Sequence, residues 1–454
     1  GAERGELARL LQTQAAALDL CAEAPAWADP EHEAGALWRG LLELERALIP
    51  DGLHVVGRPP SAEARAGMLA AMAEAAEETS DPQTLATVER LLGEDHETPA
   101  LMRALGGRFV RPAPGGDLLR SPQVLPTGRN MHAFDPFRMP TAFALREGAR
   151  QADRLIARHV ADHGAPPRSV ALVLWGSDNI KSDGGPIGQA LALMGAAPRV
   201  DSYGRLCGAR LIPLAELGRP RIDVLMTLSG VFRDLLPIQT RMLAEAAWLA
   251  ASAEEPEAQN AVRAHALAYA ARIGCDLETA ALRVFSNAEG AYGSNVNHLV
   301  ASGGWADEDE LADAFQARKG FAYGRDGRAA ARPEVMQAAL ADVELAYQNL
   351  ESVELGVTTV DHYFDTLGGV GRAVRRARGA ETPVYIGDST TGTGKVRSLS
   401  EQVALETRTR ALNPHWYEPL LRHGHEGVRQ IEAQVTNTLG WSATTGQVAP
   451  WVYQ

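Results

Sequence analysis

Lysine is almost missing from this chain of 454 residues: Lys181, Lys319 and Lys395 are the only three among 44 basic residues. Any mechanism that needs a lysine amine therefore has three candidates. Cysteine is equally scarce, at Cys21, Cys207 and Cys275. These are widely spaced, odd in number and form no CxxC pair, which excludes a zinc ribbon, a thiol redox motif and a disulfide framework. Such usage fits a reducing cytoplasm. Long apolar runs are missing too. The longest, around Val170–Trp175, falls far short of the roughly 20 residues that span a bilayer, so no transmembrane segment is expected. No charged-then-apolar signal segment opens the chain. A basic surplus is also lacking: the net charge is −13. Nucleic acid is therefore not an expected partner, because neutralising phosphates needs a basic footprint.

Two common motifs fail on inspection. Gly387–Lys395, "GDSTTGTGK", lacks the Gly-Lys-Ser/Thr ending of a P-loop, since Thr393 follows Gly392 and Val396 follows Lys395. It reads as a turn after a strand, one that could still hold another anion. His423 and His425 straddle a glycine and share no helix face, and no HExxH occurs. A helix start is the plainer reading of that segment.

What is present is ordinary globular material, 45% hydrophobic and 22% charged, enough for a sizeable core. The length suggests about three domains or one large α/β unit with additions. Residues 1–110 are rich in Ala, Leu and Glu at three- and four-residue spacing and read as mostly helical. Residues 111–140 carry six prolines and read as an irregular bridge. From 141 to 253 the texture becomes α/β: a helix over Thr141–His163, then apolar runs at Ser169–Trp175 and Ile222–Leu228 that read as buried strands. A further strand is expected to start at Pro198–Asp201. Residues 254–356 read as helical with one Gly/Asn-rich loop, and 357–454 as α/β passing into helix. The fold class expected is thus α/β: a helical N-terminal part, then a parallel-sheet core with large helical additions. In such sheets ligands collect at loops after the strand C-termini. Trp175–Gly185 and Ser229–Asp234 are two such loops.

The densest polar constellation is "VDHYFD", with Asp361, His362, Tyr363 and Asp365. Whether extended or helical, it places Asp361 and Asp365 on one face. Paired carboxylates suit a hard divalent cation, or proton removal where one carboxyl is held neutral. The plainer alternative makes Asp361 a helix cap and Asp365 a surface acid. "FSNAEGAYGSNVNHLV" gathers Glu289, Asn295 and His298 on glycine-rich backbone that lets a ligand approach closely; a structural loop fits equally well. Arg233 and Asp234 lie just past a strand end, as a site pair or a local salt bridge.

Taken together, "ALVLWGSDNIKSDGGPIGQALALMG", "LGRPRIDVLMTLSGVFRDLLPIQ", "RVFSNAEGAYGSNVNHLV", "VDHYFDTLGG" and "NTLGWSATTG" resemble the large, porphyrin-binding subunits of the magnesium chelatase and aerobic cobaltochelatase family. The resemblance runs over nearly the whole chain, and Trp-Gly-Ser-Asp-Asn is closer to the magnesium branch. It implies a C-terminal fragment of a longer multidomain protein, with a family glutamate of the site lying upstream.

The resemblance implies an enzyme that inserts Mg²⁺ into protoporphyrin IX in (bacterio)chlorophyll synthesis. Mg²⁺ is then a substrate, and no tightly bound cofactor is expected. ATP is hydrolysed on a separate AAA+ subunit, with an integrin-like third subunit as further partner. On that basis Asp365, with His362 and Asp361, is the candidate for metal delivery or proton removal, and Glu289 a second acid. Asp365 and Asp361 are the metal candidates. Arg233, Arg408 and Arg410 are candidate partners of the propionates, because arginine pairs carboxylates bidentately; Asp234, Asn295 and His298 complete the expected substrate contacts. The alternatives are a cobalt enzyme acting on a corrinoid precursor and a non-catalytic porphyrin carrier or sensor.

Overall fold

A computed structural model describes residues 2–453 except 48–54, 76–80, 115–117, 119–121, 133–134, 354 and 391–393. The last gap lies in the Gly387–Lys395 turn, so that reading falls partly outside the described residues. An α/β core is built on one eight-stranded sheet. Its strands are β1 (Ser169–Leu174), β2 (Asp223–Leu228), β3 (Val284–Ser286), β4 (Phe321–Tyr323), β5 (Ala329–Ala331), β6 (Leu345–Leu350), β7 (Val384–Asp388) and β8 (Val396–Ser398). Their spatial order is β8-β7-β6-β1-β2-β3-β4-β5. The five strands from β7 to β3 are parallel, with Ser169 opposite Asp223 and Leu174 opposite Leu228. The outer strands β8, β4 and β5 run antiparallel.

Strands β1 and β2 are buried along their whole length, as expected where helices cover both faces. Their side chains alternate between two cores. Ala171, Val173 and Leu225 face a core that also holds Phe364 and Trp441. Val170, Leu172, Val224 and Met226 face the other, with Leu155 and Leu191. Among the described residues, five helices between Ala2 and Leu105 precede this core. Two of them share a small cluster of Met72, Val88 and Leu92 with Leu125 from the following segment. No described helix is long and apolar enough to cross a membrane.

Three local expectations change. The stretches after β1 and β2 are short helices, Gly176–Lys181 and Gly230–Leu235, and not loops. Ser229 starts the second, its hydroxyl accepting the Phe232 N–H at 3.1 Å, as a capping serine does. The strand near Pro198 runs over Ala196–Val200 and pairs with Leu206–Leu211 in a separate hairpin. The stretch 254–356 is helical but also supplies β3 to β6, including β6 beside β1. Strand β6 escapes an apolar-run search because Gln348 and Asn349 interrupt it. Their buried polar groups bond other side chains, Gln348 to Trp175 and Asn349 to Gln189.

Candidate active site

The motif residues converge at the C-terminal ends of the parallel strands. The loop after β3, the helix after β2 and the segment Asp361–Gly368 meet there. Asp361–Tyr363 forms one helical turn and Phe364–Gly368 a wider π-type turn, a local expansion that often marks function.

Asp365 sits on that wide turn and is only 1% exposed. Its Oδ2 accepts the Ser294 N–H at 2.7 Å and its Oδ1 the Asn297 N–H at 3.1 Å. The Ser294 hydroxyl donates to the Asp365 carbonyl at 2.6 Å. The carboxylate thus caps the helix Val296–Ser302, where free N–H groups and the helix dipole favour negative charge. This rules out the surface-acid alternative: Asp365 is buried and its carboxylate is an anchor of the loop. Asp361 is half-exposed, and its Oδ2 accepts the Asn297 carboxamide at 2.7 Å. His362 is exposed, with Nδ1 at 3.7 Å from Asp361 Oδ1. The two carboxylates are therefore joined through Asn297 and are not paired on one open face.

Behind this clamp lies Lys319, fully buried. Its Nζ donates to Asn287 Oδ1 at 2.8 Å and to the Leu228 carbonyl at 3.2 Å. Burial pushes this amine down to about 8, against the pull of the nearby Asp365 charge. Asn287 in turn donates to the Gly293 carbonyl at 2.6 Å, which closes the glycine-rich loop.

Arg233 braces the same loop from the β2 side. Its guanidinium donates to the Ala288 and Ala291 carbonyls at 2.7 and 2.8 Å and to Asp234 at 2.7 Å. Its Nη2 is buried with no hydrogen-bond partner among the described residues. The Arg233 bond holds the Asp234 carboxyl below the ordinary range, helped by the Tyr292 hydroxyl. Glu289, Asn295 and His298 are exposed on the loop rim, and Asn295 carries a left-handed backbone, φ 67°.

Arg408 and Arg410 lie elsewhere. Arg410 is 2% exposed and bonded to Glu406 at 2.9 Å and to the Val353 carbonyl at 2.7 Å. Arg408 donates to the carbonyls of Leu18 and Asp19 and lies over the Trp451 ring at 4.6 Å. Arg410 is thus paired within the fold, while Arg408 Nε has no hydrogen-bond partner among the described residues. The His423–His425 segment joins no group of three His, Cys, Asp or Glu fit to hold a metal among the described residues.

Two site residues escape motif reading. Lys319 is signalled by lysine scarcity alone. Asp178 lies on the helix after β1, inside Trp-Gly-Ser-Asp-Asn. Burial raises its carboxyl to about 7, and its Oδ2 has no partner among the described residues. An acid four residues beyond an apolar strand is the signal that could have found it.

The family model described as CobN/Magnesium Chelatase matches residues 2–91 and 79–454. The chain is 66% identical over 454 residues to a magnesium-chelatase subunit of Rhodobacter capsulatus, covering 100% of this chain and 36% of that protein. It is 64% identical over 453 residues to the magnesium-chelatase subunit of the same name from Cereibacter sphaeroides, with the same coverage. The solved catalytic subunit of cobaltochelatase from Mycobacterium tuberculosis superposes with a TM-score of 0.81 at 30% identity, covering 100% of this chain and 44% of that one. The chain thus spans about a third of the length of the curated relatives it matches.

Proposed function

The chain belongs to the CobN/magnesium chelatase family, and from that membership we propose that it forms part of the porphyrin-binding subunit of a magnesium chelatase. The assembled enzyme inserts Mg²⁺ into protoporphyrin IX for (bacterio)chlorophyll synthesis and works in the cytoplasm. ATP is hydrolysed on a separate AAA+ subunit, with an integrin-like subunit as third partner. The observation that carries this reading is identity across the whole chain to a magnesium-chelatase subunit, more than twice that to the cobaltochelatase catalytic subunit.

The reaction removes two pyrrole protons, bends a flat macrocycle and strips water from an ion that dehydrates reluctantly. Asp361 and His362, exposed side by side, handle the ion. Asp365 acts as a positioning residue, holding the 287–298 loop against them through Ser294 and Asn297. The unpaired Nη2 of Arg233 suits a propionate, with Glu289, Asn295 and His298 on the rim of the same loop.

A fluorescence-quenching titration with deuteroporphyrin IX tests the reading on this chain. Saturable micromolar binding is expected. Magnesium insertion by the full-length protein with its partners and ATP is the second arm. Insertion of cobalt into a corrinoid in preference to magnesium into deuteroporphyrin would overturn it.

A further inference from the structure

Two unpartnered polar groups lie on neighbouring parts of the sheet region, one on the helix after β1 and one on strand β6. Asp178 Oδ2 and Gln348 Nε2 have no hydrogen-bond partner among the described residues. Asp178 is 6% exposed and Gln348 is fully buried. Native proteins pair nearly all such groups, so an unpaired one calls for a ligand or a chemical role.

Their place in the fold supplies the ligand argument. Asp178 follows β1 and Gln348 lies on β6, and these strands are neighbours. From β1 the chain moves to β2 on one side and later returns to β6 on the other. That reversal is the switch point where open parallel sheets bind their ligands. Trp175 links the two strands, its indole N–H donating to Gln348 Oε1 at 3.1 Å. The same ring stands edge-on to Tyr363 at 5.3 Å. Tyr363 lies between Asp361 and Asp365, so the pair borders the site already described.

Burial outweighs what faces Asp178, the Ser177 hydroxyl and the charge of Lys181 opposing it only in part. On its own helix, Ser177 donates to Oδ1 at 3.2 Å, and Lys181 turns its amine to the Glu351 carbonyl. From the 361–363 turn comes the Tyr363 phenol, which burial and the Asp178 and Glu351 charges all push upward. No arginine or lysine hydrogen-bonds to the Asp178 carboxylate among the described residues.

We propose that Asp178 is the proton acceptor for a pyrrole N–H of the bound macrocycle, with Gln348 Nε2 as a second point of contact. The proposal rests on the chelatase reading above. The Asp178 carboxylate takes the proton, and the N–H bond pair stays on nitrogen and becomes the bond to Mg²⁺. The acid returns its proton to water, and the second N–H is served in turn, so each insertion releases two protons. A carboxyl raised to about 7 by burial can both take and release a proton near neutrality.

The test uses the full-length protein with its partner subunits, ATP, Mg²⁺ and deuteroporphyrin IX. Asp178→Asn is expected to lower kcat about 100-fold, to abolish the bend in the kcat–pH profile near pH 7, and to leave deuteroporphyrin binding within about threefold. Asp178→Glu should recover the bend. Wild-type kcat and an unchanged bend in Asp178→Asn would overturn the proposal while leaving the function reading intact. A wild type that inserts no magnesium counts against the function reading. Infrared difference spectra then decide on Asp178 separately: its carboxyl band must titrate near pH 7 and shift on adding deuteroporphyrin, and a silent band overturns the assignment.

Discussion

Asn297 holds both acids of the Asp-His-Tyr-Phe-Asp motif, giving its backbone N–H to Asp365 and its carboxamide to Asp361. The two bonds have different consequences. Asp365→Ala strips the acceptors from two N–H groups at the start of Val296–Ser302 and leaves Lys319 without its nearest opposing charge. A loss of about 2–4 kcal/mol in unfolding free energy is expected, read by urea denaturation. Asn297→Ala keeps the backbone bond and should cost about 1 kcal/mol. It frees Asp361, so magnesium insertion should fall more than stability does.

Lys319 gives a stability signature with a defined sign. Its folded pKa is lowered to about 8 from an ordinary 10.5, so between these values the unfolded chain binds more protons. Stability then rises with pH from about 8 to 10.5 and is flat below 8 in this contribution. The span corresponds to roughly 3 kcal/mol. Lys319→Met should remove that rise, and parallel pH curves for the two proteins would disprove the coupling.

The strands β1 and β2 are legible as apolar runs because burial on both faces leaves no polar positions. Strand β6 is not, since Tyr347, Gln348 and Asn349 put polar side chains into the core, where Tyr347 bonds Gln151, Gln348 Oε1 accepts from Trp175 and Asn349 bonds Gln189. The motif around Asp365 stands out by composition. Its role as a cap does not, because its partner Ser294 lies 71 residues earlier. Arg410 shows the converse: the sequence marks a cation, and the fold pairs it with Glu406. Only the fold reveals which cations are already paired.

Glu406 is the keystone of the segment that leads into the motif. Its two oxygens accept the Val357 and Thr358 N–H groups at 2.9 Å each, the Thr358 hydroxyl at 2.6 Å and Arg410 at 2.9 Å. Glu406→Gln replaces an acceptor with a donor and strands a buried guanidinium. A loss of about 3–5 kcal/mol is expected, seen as a lower Tm, with deuteroporphyrin affinity unchanged in the fraction that stays folded.

Gly440 sits where the helix His425–Thr445 crosses the wide turn. A Cβ there would lie 2.6 Å from the Phe364 ring, and Phe364 is buried and braced by Trp441 at 6.5 Å between ring centroids. The ring has no room to retreat, so Gly440→Ala should cost about 1–3 kcal/mol. Because Phe364 adjoins Asp365, the strain should also loosen the 287–298 loop. Faster amide exchange at Ser294 and Asn297 would register it, and unchanged exchange there would confine the effect to packing.

Asp178 titrates in the opposite sense to an ion-paired carboxylate. Its folded pKa is raised to about 7 from 3.8, so between those values the folded chain holds the extra proton. Stability from this group therefore falls as pH rises from about 4 to 7 and stays low above it. Asp178→Asn keeps the shape and removes the buried charge. The variant should be more stable than wild type above pH 7, by at most roughly 4 kcal/mol, with the gap closing toward pH 4. A function-bearing group that the fold tolerates only at a loss should behave in this way, and a variant less stable than wild type at pH 8 would make Asp178 a structural residue.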